Sequence, residues 1–354
     1  MLEWLKKHSE RRKSYELALL FRELASKLLS AEEIVRFIGE RYKRIKPVKT
    51  TKFWWRSFEL RRVELVYQLA YNKLKDYARA PLSSDMDPYH RELVQAFVGD
   101  EYDRAIIKVR KSLKIISRLW REYYPLILAS QTREEAKKLR REACGRILSV
   151  VRRLRRSLDV IRKTVNELSK THVVSEGLPV VVVAGAPNVG KSTLVSIIST
   201  AKPEIAPYPF TTKTIIVGKN LASTPPYYIV DTPGILDKDP VDYNAVERKA
   251  FVALKALADV VIILVDPTEN CPLTLERQLR LIQTLKREFK DKVKGIIVNK
   301  IDLINQEELV NVINYINSKV SSMVDWIHAT SLIKGYGVNE LKQLILRSVK
   351  ELTL

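Results

Sequence analysis

The stretch PVVVVAGAPNVGKS, residues 179–192, decides how the rest of the chain is read. Its first half is a β-branched apolar run, the composition of a strand buried on both faces. GAPNVGKS follows at once and fits GxxxxGK[ST], a pattern that means a phosphate-binding loop only between a strand and a helix. Its glycines let backbone N–H groups turn inward around phosphates, and a helix opening near Lys191 points its positive end at them. In that frame Lys191 reaches the β- and γ-phosphates and the Ser192 hydroxyl ligates Mg²⁺, with Pro187, Asn188, Val189, Gly190 and Thr193 completing the loop.

Toward the C-terminus, further boxes arrive in the order a nucleotide switch requires. PFTT, residues 209–212, supplies Thr212, whose hydroxyl can complete Mg²⁺ and sense the γ-phosphate. DTPG, residues 231–234, follows the strand-like YYIV; Asp231 suits a Mg²⁺ water ligand and the Gly234 N–H suits the γ-phosphate. Lys191, Thr212 and Gly234 are therefore the candidate catalytic set. NKID, residues 299–302, follows KGIIV. The Asp302 carboxylate can accept two hydrogen bonds from guanine N1 and N2, which adenine cannot offer. Asn299 fixes the base loop, and the aliphatic stem of Lys300 can lie over the ring. Ser331 and Leu332, within HATSLIKGYGVNEL, follow a further strand and offer backbone N–H groups to guanine O6. Strands are expected near 179–184, 214–219, 226–230, 260–265, 293–298 and 326–330, alternating with helices. That alternation predicts a mostly parallel sheet covered on both faces, its second strand antiparallel, with sites at the carboxyl ends of the strands.

Toward the N-terminus the character differs. Up to about residue 171 there are only three glycines, Gly39, Gly99 and Gly145, and apolar residues recur at helical spacing. One helix passes through Leu17, Leu20, Leu24 and Leu28, and a Ser30–Glu33 capping box opens the next, toward Tyr42. A basic connector, 41–52, is broken at Pro47; helices over 53–79, between Pro88 and Gly99, and over 101–129 follow, with a loop at 81–88. A second capping box, Thr132 with Glu135, opens a long helix whose seam is Leu139, Ala143, Ile147, Val150, Leu154, Leu158, Ile161, Val165 and Leu168. Trp54 and Trp55, set among basic residues, read either as core or as a base-stacking platform.

Charge separates the two halves. Residues 1–176 carry 41 Lys+Arg against 23 Asp+Glu, whereas 177–354 carry 21 against 18, so nearly all of the net +21 lies in the first half. A polyanion is the implied partner, nucleic acid before an anionic membrane. Between 137 and 163 there are 11 Lys+Arg against Glu142 and Asp159 alone. A face seeking only solubility would interleave acids for i,i+4 pairs. Arg140, Arg141, Arg152, Arg153, Arg155, Arg156, Arg162 and Lys163 are accordingly the candidate RNA-binding residues. Two cysteines and four scattered histidines argue against a disulfide scaffold or a zinc site. No apolar run reaches a membrane span, and the charged MLEWLKKHSERRK start is not a secretory signal, so a cytoplasmic protein is expected.

Beyond a generic guanine-nucleotide domain, the chain resembles the Obg-like GTPases and, within them, the nucleolar GTP-binding (Nog-type) family, as an archaeal-type member. GAPNVGKSTLV, IAPYPFTTKTIIVG, the run from VDTPGILDKD to CPLTLERQ, and NKID carry the likeness. It continues through MDPYHRELVQAFVGDEYDRAIIKVRKSLKII and EACGRILSVVRRLRRSLDVIRKTVNEL, spanning about 50–354. The resemblance implies a factor in large ribosomal subunit assembly, its helical domain on rRNA and precursor particles, its GTPase domain a GTP/GDP switch, and the long C-terminal extension of eukaryotic members absent. It also implies a potassium ion held by Asn188. Ile235 stands where many switch GTPases place a water-orienting glutamine, so unassisted hydrolysis is expected at about 10⁻² per second or less. The expected organisation is a basic helical bundle over 1–171, a linker at 172–178 and a P-loop GTPase domain over 179–354 in a monomer. Its rivals are a GTP-dependent binding module without significant turnover and a GTPase acting at an anionic membrane surface.

Overall fold

The structure, a computed structural model, describes residues 2–48, 52–174, 178–237 and 240–352. The linker expected at 172–178 and the connector at 41–52 fall partly outside them. The helical region consists of α1 (Leu2–Lys27), α2 (Ala31–Lys43), α3 (Trp54–Ala78), α4 (Pro88–Phe97), α5 (Glu101–Ala129), α6 (Arg133–Arg153) and α7 (Arg155–Leu168). Then come β1 (Val180–Gly185), α8 (Lys191–Ile198), β2 (Glu204–Pro207), β3 (Thr214–Asn220), β4 (Tyr227–Asp231) and α9 (Ala245–Leu257). The chain continues through β5 (Val260–Val265), α10 (Leu275–Phe289), β6 (Val293–Val298), α11 (Gln306–Val320), β7 (Trp326–Ala329) and α12 (Val338–Lys350). A helical N-terminal region thus precedes a P-loop α/β domain, the fold class the sequence predicts.

Contacts gather the chain into two compact units. One holds Leu19–Asp85 and Val98–Ser169; the other holds Met1–Ala18, Met86–Phe97 and Lys170–Leu354. In the helical unit α3 packs against both α5 and α6, burying Val63, Val66, Ala70 and Leu74 at steps of three and four. Arg110 of α5 donates from Nε and Nη2 to the carbonyls of Ala78 and Ala80, at 3.2 and 3.0 Å, satisfying acceptors the end of α3 leaves open. The Ser30–Glu33 capping box forms as expected, with bonds of 2.6 and 3.2 Å. At Thr132 only half of one forms: Thr132 Oγ1 accepts from the Glu135 amide at 3.1 Å, while the Glu135 carboxylate takes the amide of Gln131 at 2.7 Å.

The single long helix expected after Thr132 is a pair. At Leu154 the amide turns to the Val151 carbonyl, 3.1 Å away, tightening one turn and separating α6 from α7. The seam passes through Val151, fully buried, and Val150 is only half-buried.

In the second unit the described residues form a seven-stranded sheet in the order β2-β3-β4-β1-β5-β6-β7. β1 lies between β4 and β5, parallel to both, and β6 and β7 continue the parallel run. β3 is antiparallel to β4, as expected. β2 is an edge strand that the sequence does not announce: it is four residues long, ends at Pro207, and leaves Ile205 74% exposed. Along β1, Val180, Val182 and Ala184 face one core and Val181 and Val183 the other, which fixes the strand's height and delivers Gly185 to the edge.

α4 belongs to this unit rather than to the bundle around it in sequence, and packs on α9. Leu93 and Val94 are buried. His90, fully buried, joins Asp87 through Nδ1 and lies 2.8 Å from Thr171 Oγ1 through Nε2. Burial alone would raise the Asp87 pKa, but His90 and the Tyr89 and His90 amides hold it below the usual carboxylate value.

Candidate functional site

The phosphate-binding loop runs from the end of β1 into α8. Its backbone takes the left-handed region at Asn188 (φ 64°) and Gly190 (φ 106°). Asparagine tolerates that region. At Gly190 a Cβ would lie 2.5 Å from Asn299 Nδ2, so glycine is what lets the guanine box approach the loop. Asn299, buried, spans the gap: Nδ2 donates to the Val189 carbonyl at 2.8 Å and Oδ1 accepts from the Leu332 amide at 3.1 Å. One side chain thus ties together three of the boxes.

Lys191 is buried, its ammonium donating to the carbonyls of Gly185 and Ala186 at 2.9 and 2.7 Å. Burial lowers its pKa, opposed by the charges of Asp231 and Asp237. Asp231, at the carboxyl end of β4, accepts from Ser192 Oγ at 2.6 Å through Oδ2. Burial raises its pKa against that bond and Lys191. Its Oδ1 is buried with no hydrogen-bond partner among the described residues. An anionic oxygen left over beside a hydroxyl is the donor set that a hard divalent cation takes, so the residues fit Mg²⁺.

The remaining switch residues are arranged as follows. Thr212 is exposed. Gly234 donates its amide to Asp237 Oδ2 at 2.8 Å. Ile235, in the glutamine position, is fully buried in the core under the sheet. Asp302 is exposed, free to meet a base edge. Lys300 adopts φ 64° and pairs through Nζ with the buried Asp266 at 2.6 Å. Ser331 and Leu332 are buried; their amides donate to the Tyr336 carbonyl and to Asn299, so donation to guanine O6 has to share those bonds. Pro187 is exposed on the loop, Thr193 is exposed in the first turn of α8, and Val189 is buried.

Sequence reasoning missed several residues here. Asp266 follows the buried strand β5, and a charged residue at the carboxyl end of a parallel strand was the available signal. Asp237 falls outside the box it serves, and Lys213 and the α4 residues gave no signal because their partners are distant in sequence. Phe210 holds φ 61°, costly for an aromatic residue, with its ring stacked on Phe97 of α4 at 5.1 Å and an interplanar angle of 10°. Tyr208, fully buried, donates its hydroxyl to the Ala250 carbonyl of α9 at 3.1 Å.

The candidate RNA residues do not form one free face. Arg140 is held by the buried Glu59, 2.6 Å away, and by the Tyr42 hydroxyl. Arg155 pairs with Glu32 and Arg156 with Glu101, each at 2.9 Å, and Arg162 approaches Asp159 at 3.6 Å. Arg141, Arg152, Arg153 and Lys163 are exposed. The cleaner stripe is on α5: Lys108, Lys111, Lys114, Arg118 and Arg121 are exposed, and no acid occurs from 104 to 121. Trp54 and Trp55 are both half-buried, under the guanidiniums of Arg133 and Arg56 respectively.

Comparison with known proteins decides the family. A family model described as the NOG1 N-terminal helical domain matches residues 23–175, and one described as a 50S ribosome-binding GTPase matches 180–300. An uncharacterized protein of Methanocaldococcus jannaschii is 33% identical over 242 residues, 68% of this chain and 67% of that one. Nucleolar GTP-binding protein 1 of Saccharomyces cerevisiae is 28% identical over 256 residues, 72% of this chain. The chain belongs to the nucleolar GTP-binding protein 1 family. It spans about two fifths of the length of the yeast members it matches (40%). A solved structure described as a nucleolar GTP-binding protein 1 from Plasmodium falciparum is 28% identical, with a TM-score of 0.41 over 49% of this chain and 87% of that one.

Proposed function

We propose that this protein is a GTP-binding and GTP-hydrolysing switch that binds rRNA through its basic helices and acts in assembly of the large ribosomal subunit. The observation that carries the reading is the convergence on the phosphate-binding loop of Lys191, the Ser192–Asp231 pair and Asn299, within one unit. Asp302 selects guanine, and Asn299 holds the base boxes against the loop. Ser192 and Asp231, with Thr212, hold Mg²⁺, which shields phosphate charge when bound. Asn188 is the residue for a potassium ion. Lys191 and the Gly234 amide take the phosphate oxygens, the amide after Asp237 gives way.

The ribosomal part is supported by the names of the relatives, by the 50S-binding description of the matched GTPase family, and by the one-sign charge of the helical half. Among the described residues no helix is long and apolar enough to cross a membrane. A monomeric protein working in the cytoplasm on precursor particles is the form this reading takes.

Single-turnover and steady-state GTP hydrolysis, with and without large-subunit precursors, tests it. Turnover at about 10⁻² per second or less alone, rising with particles, is the expected result. Exchanging potassium for sodium should slow it, and Asn188→Ala should abolish that difference. GTP bound with no turnover under any of these conditions would reduce the protein to a binding module.

A further inference from the structure

Phosphoryl transfer needs positive charge where the γ-phosphate oxygens become more negative, and GTPases that lack it in the free state turn over slowly until an arginine supplies it. Here the glutamine position is Ile235, whose side chain is buried in the core, so that position offers no polar group. A cation stands beside that loop nonetheless. We propose that Lys213, next to Thr212 in the first switch, is a catalytic residue that supplies this charge from within the same chain.

The placement rests on Gly234. A Cβ built on that glycine would lie 2.5 Å from Lys213 Nζ, 3.2 Å from Cε and 3.4 Å from Cδ, so the end of the lysine lies against the glycine itself. A side chain at 234 would push the ammonium away from this amide. The amide of the same glycine already holds an anionic oxygen, Asp237 Oδ2 at 2.8 Å. Amide and ammonium together therefore make a place suited to an anion, and a γ-phosphate taking over from the Asp237 carboxylate meets both.

The lysine is positioned without being used up. Its carbonyl accepts from the Tyr208 amide at 2.9 Å and its amide donates to Thr211 Oγ1 at 3.1 Å, which fixes the base of the side chain. Its ammonium lies 3.7 Å from Glu247 Oε1, a distance that steers it, and it has no hydrogen-bond acceptor among the described residues. Glu247 is itself fixed, buried at the start of α9 in a capping box with Asn244. The bland alternative is that Lys213 only balances Glu247. That alternative does not account for the end of the lysine lying against Gly234, whose amide already holds a carboxylate.

The step balances without any proton moving through Lys213. Water oxygen bonds to the γ-phosphorus, the bond from that phosphorus to the β,γ-bridging oxygen breaks, GDP leaves, and the water proton passes to phosphate and solvent. Lys213 lowers the barrier by charge alone.

This role depends on GTP hydrolysis as proposed above, and the full chain tests both. Single-turnover rates in potassium buffer, binding of fluorescent GDP, and trapping of GDP with aluminium fluoride are measured for wild type, Lys213→Ala and Lys213→Arg. Lys213→Ala should slow the hydrolytic step about 30-fold or more and lose aluminium fluoride trapping, with GDP affinity unchanged within about twofold. Lys213→Arg should recover a large part of both. Unchanged GDP binding certifies that a variant is folded; if Lys213→Ala fails that check, Lys213→Met takes its place. Wild-type turnover matched by a folded, uncharged variant overturns the role of Lys213 and leaves the GTPase reading standing. Absence of turnover in wild type with GTP bound overturns the hydrolysis reading and this role with it.

Discussion

Asp302 and Asn299 show how far single residues explain the site. Asn299 is committed to protein partners on both sides, the Val189 carbonyl and the Leu332 amide, whereas Asp302 is exposed and keeps its carboxylate for a ligand. Asp302→Asn should therefore leave the loop intact and weaken GTP by about 2–4 kcal/mol, since an amide cannot accept both guanine hydrogen bonds. Affinity for xanthosine triphosphate should rise in the same variant, because its extra carbonyl needs a donor. Competition binding with GTP, ATP and xanthosine triphosphate checks this; equal ATP and GTP affinities in wild type would remove guanine selection altogether. At this scale the sequence was highly legible. Lys191, Ser192, Asp231 and Asn299 could be named because loop chemistry is local and each box follows its own strand. Asp237 and Lys213 could not, since what gives them meaning is Gly234, brought beside Lys213 by the pairing of β3 with β4.

Among the elements, α4 is the one whose place the sequence concealed. Its amphipathic spacing predicts a helix, and the helix is there, but periodicity does not say which core it serves. Beyond its packing on α9, its ties to the nucleotide unit include the Phe97–Phe210 stack and the buried Asp87–His90–Thr171 chain. Phe210 bears backbone strain of about 1–2 kcal/mol, which the stack helps to hold. Phe97→Ala should free residues 208–213, seen as faster amide exchange there, and cost about 2 kcal/mol of stability, with Phe97→Leu intermediate. Unaltered exchange over 208–213 would mean that the stack carries no restraint. Acid should loosen the other tie. The Asp87 pKa is lowered in the folded state, so its contribution is present above the ordinary carboxylate range and is lost as pH falls through the folded value. Asp87→Asn should flatten that part of the acid unfolding curve. Two other elements were illegible for simple reasons. β2 is too short and too exposed to carry a pattern, and the break at Leu154 changes no residue type that a seam would register.

For the molecule as a whole, charge is the property that the sequence reported and the structure redistributed. The first half is strongly basic, yet Arg140, Arg155, Arg156 and Arg162 all have acidic neighbours, and Arg140 is tied to a buried glutamate. Composition cannot separate such arginines from free ones, because Glu59 is 81 residues away in the chain and joins Arg140 only once α3 and α6 pack. On α5 the arithmetic differs. The positions 108, 111, 114, 118 and 121 rise about 20 Å along one helix face, with no acid among them, so an external polyanion would relieve their mutual repulsion. The connection to the switch is covalent: α5 follows α4, whose Phe97 stacks on Phe210 two residues before Thr212. GTP should therefore favour the RNA-bound form, by the 1–3 kcal/mol scale of about 5- to 150-fold typical of coupled sites. Replacing Lys108, Lys111, Lys114 and Arg118 with Ala should weaken binding to large-subunit precursors and make the salt dependence shallower, by about 0.7–0.9 in log–log slope for each phosphate no longer neutralised. Replacing Arg152, Arg153, Arg155 and Arg156 should do less, since two of these already have carboxylate partners whose release compensates part of the loss. Co-sedimentation with precursor particles across a potassium chloride series, in GTP analogue and in GDP, measures all of this. A greater loss from the second set than from the first would return the RNA face to α6 and α7, and identical binding by both variants and both nucleotides would detach the helical unit from RNA altogether.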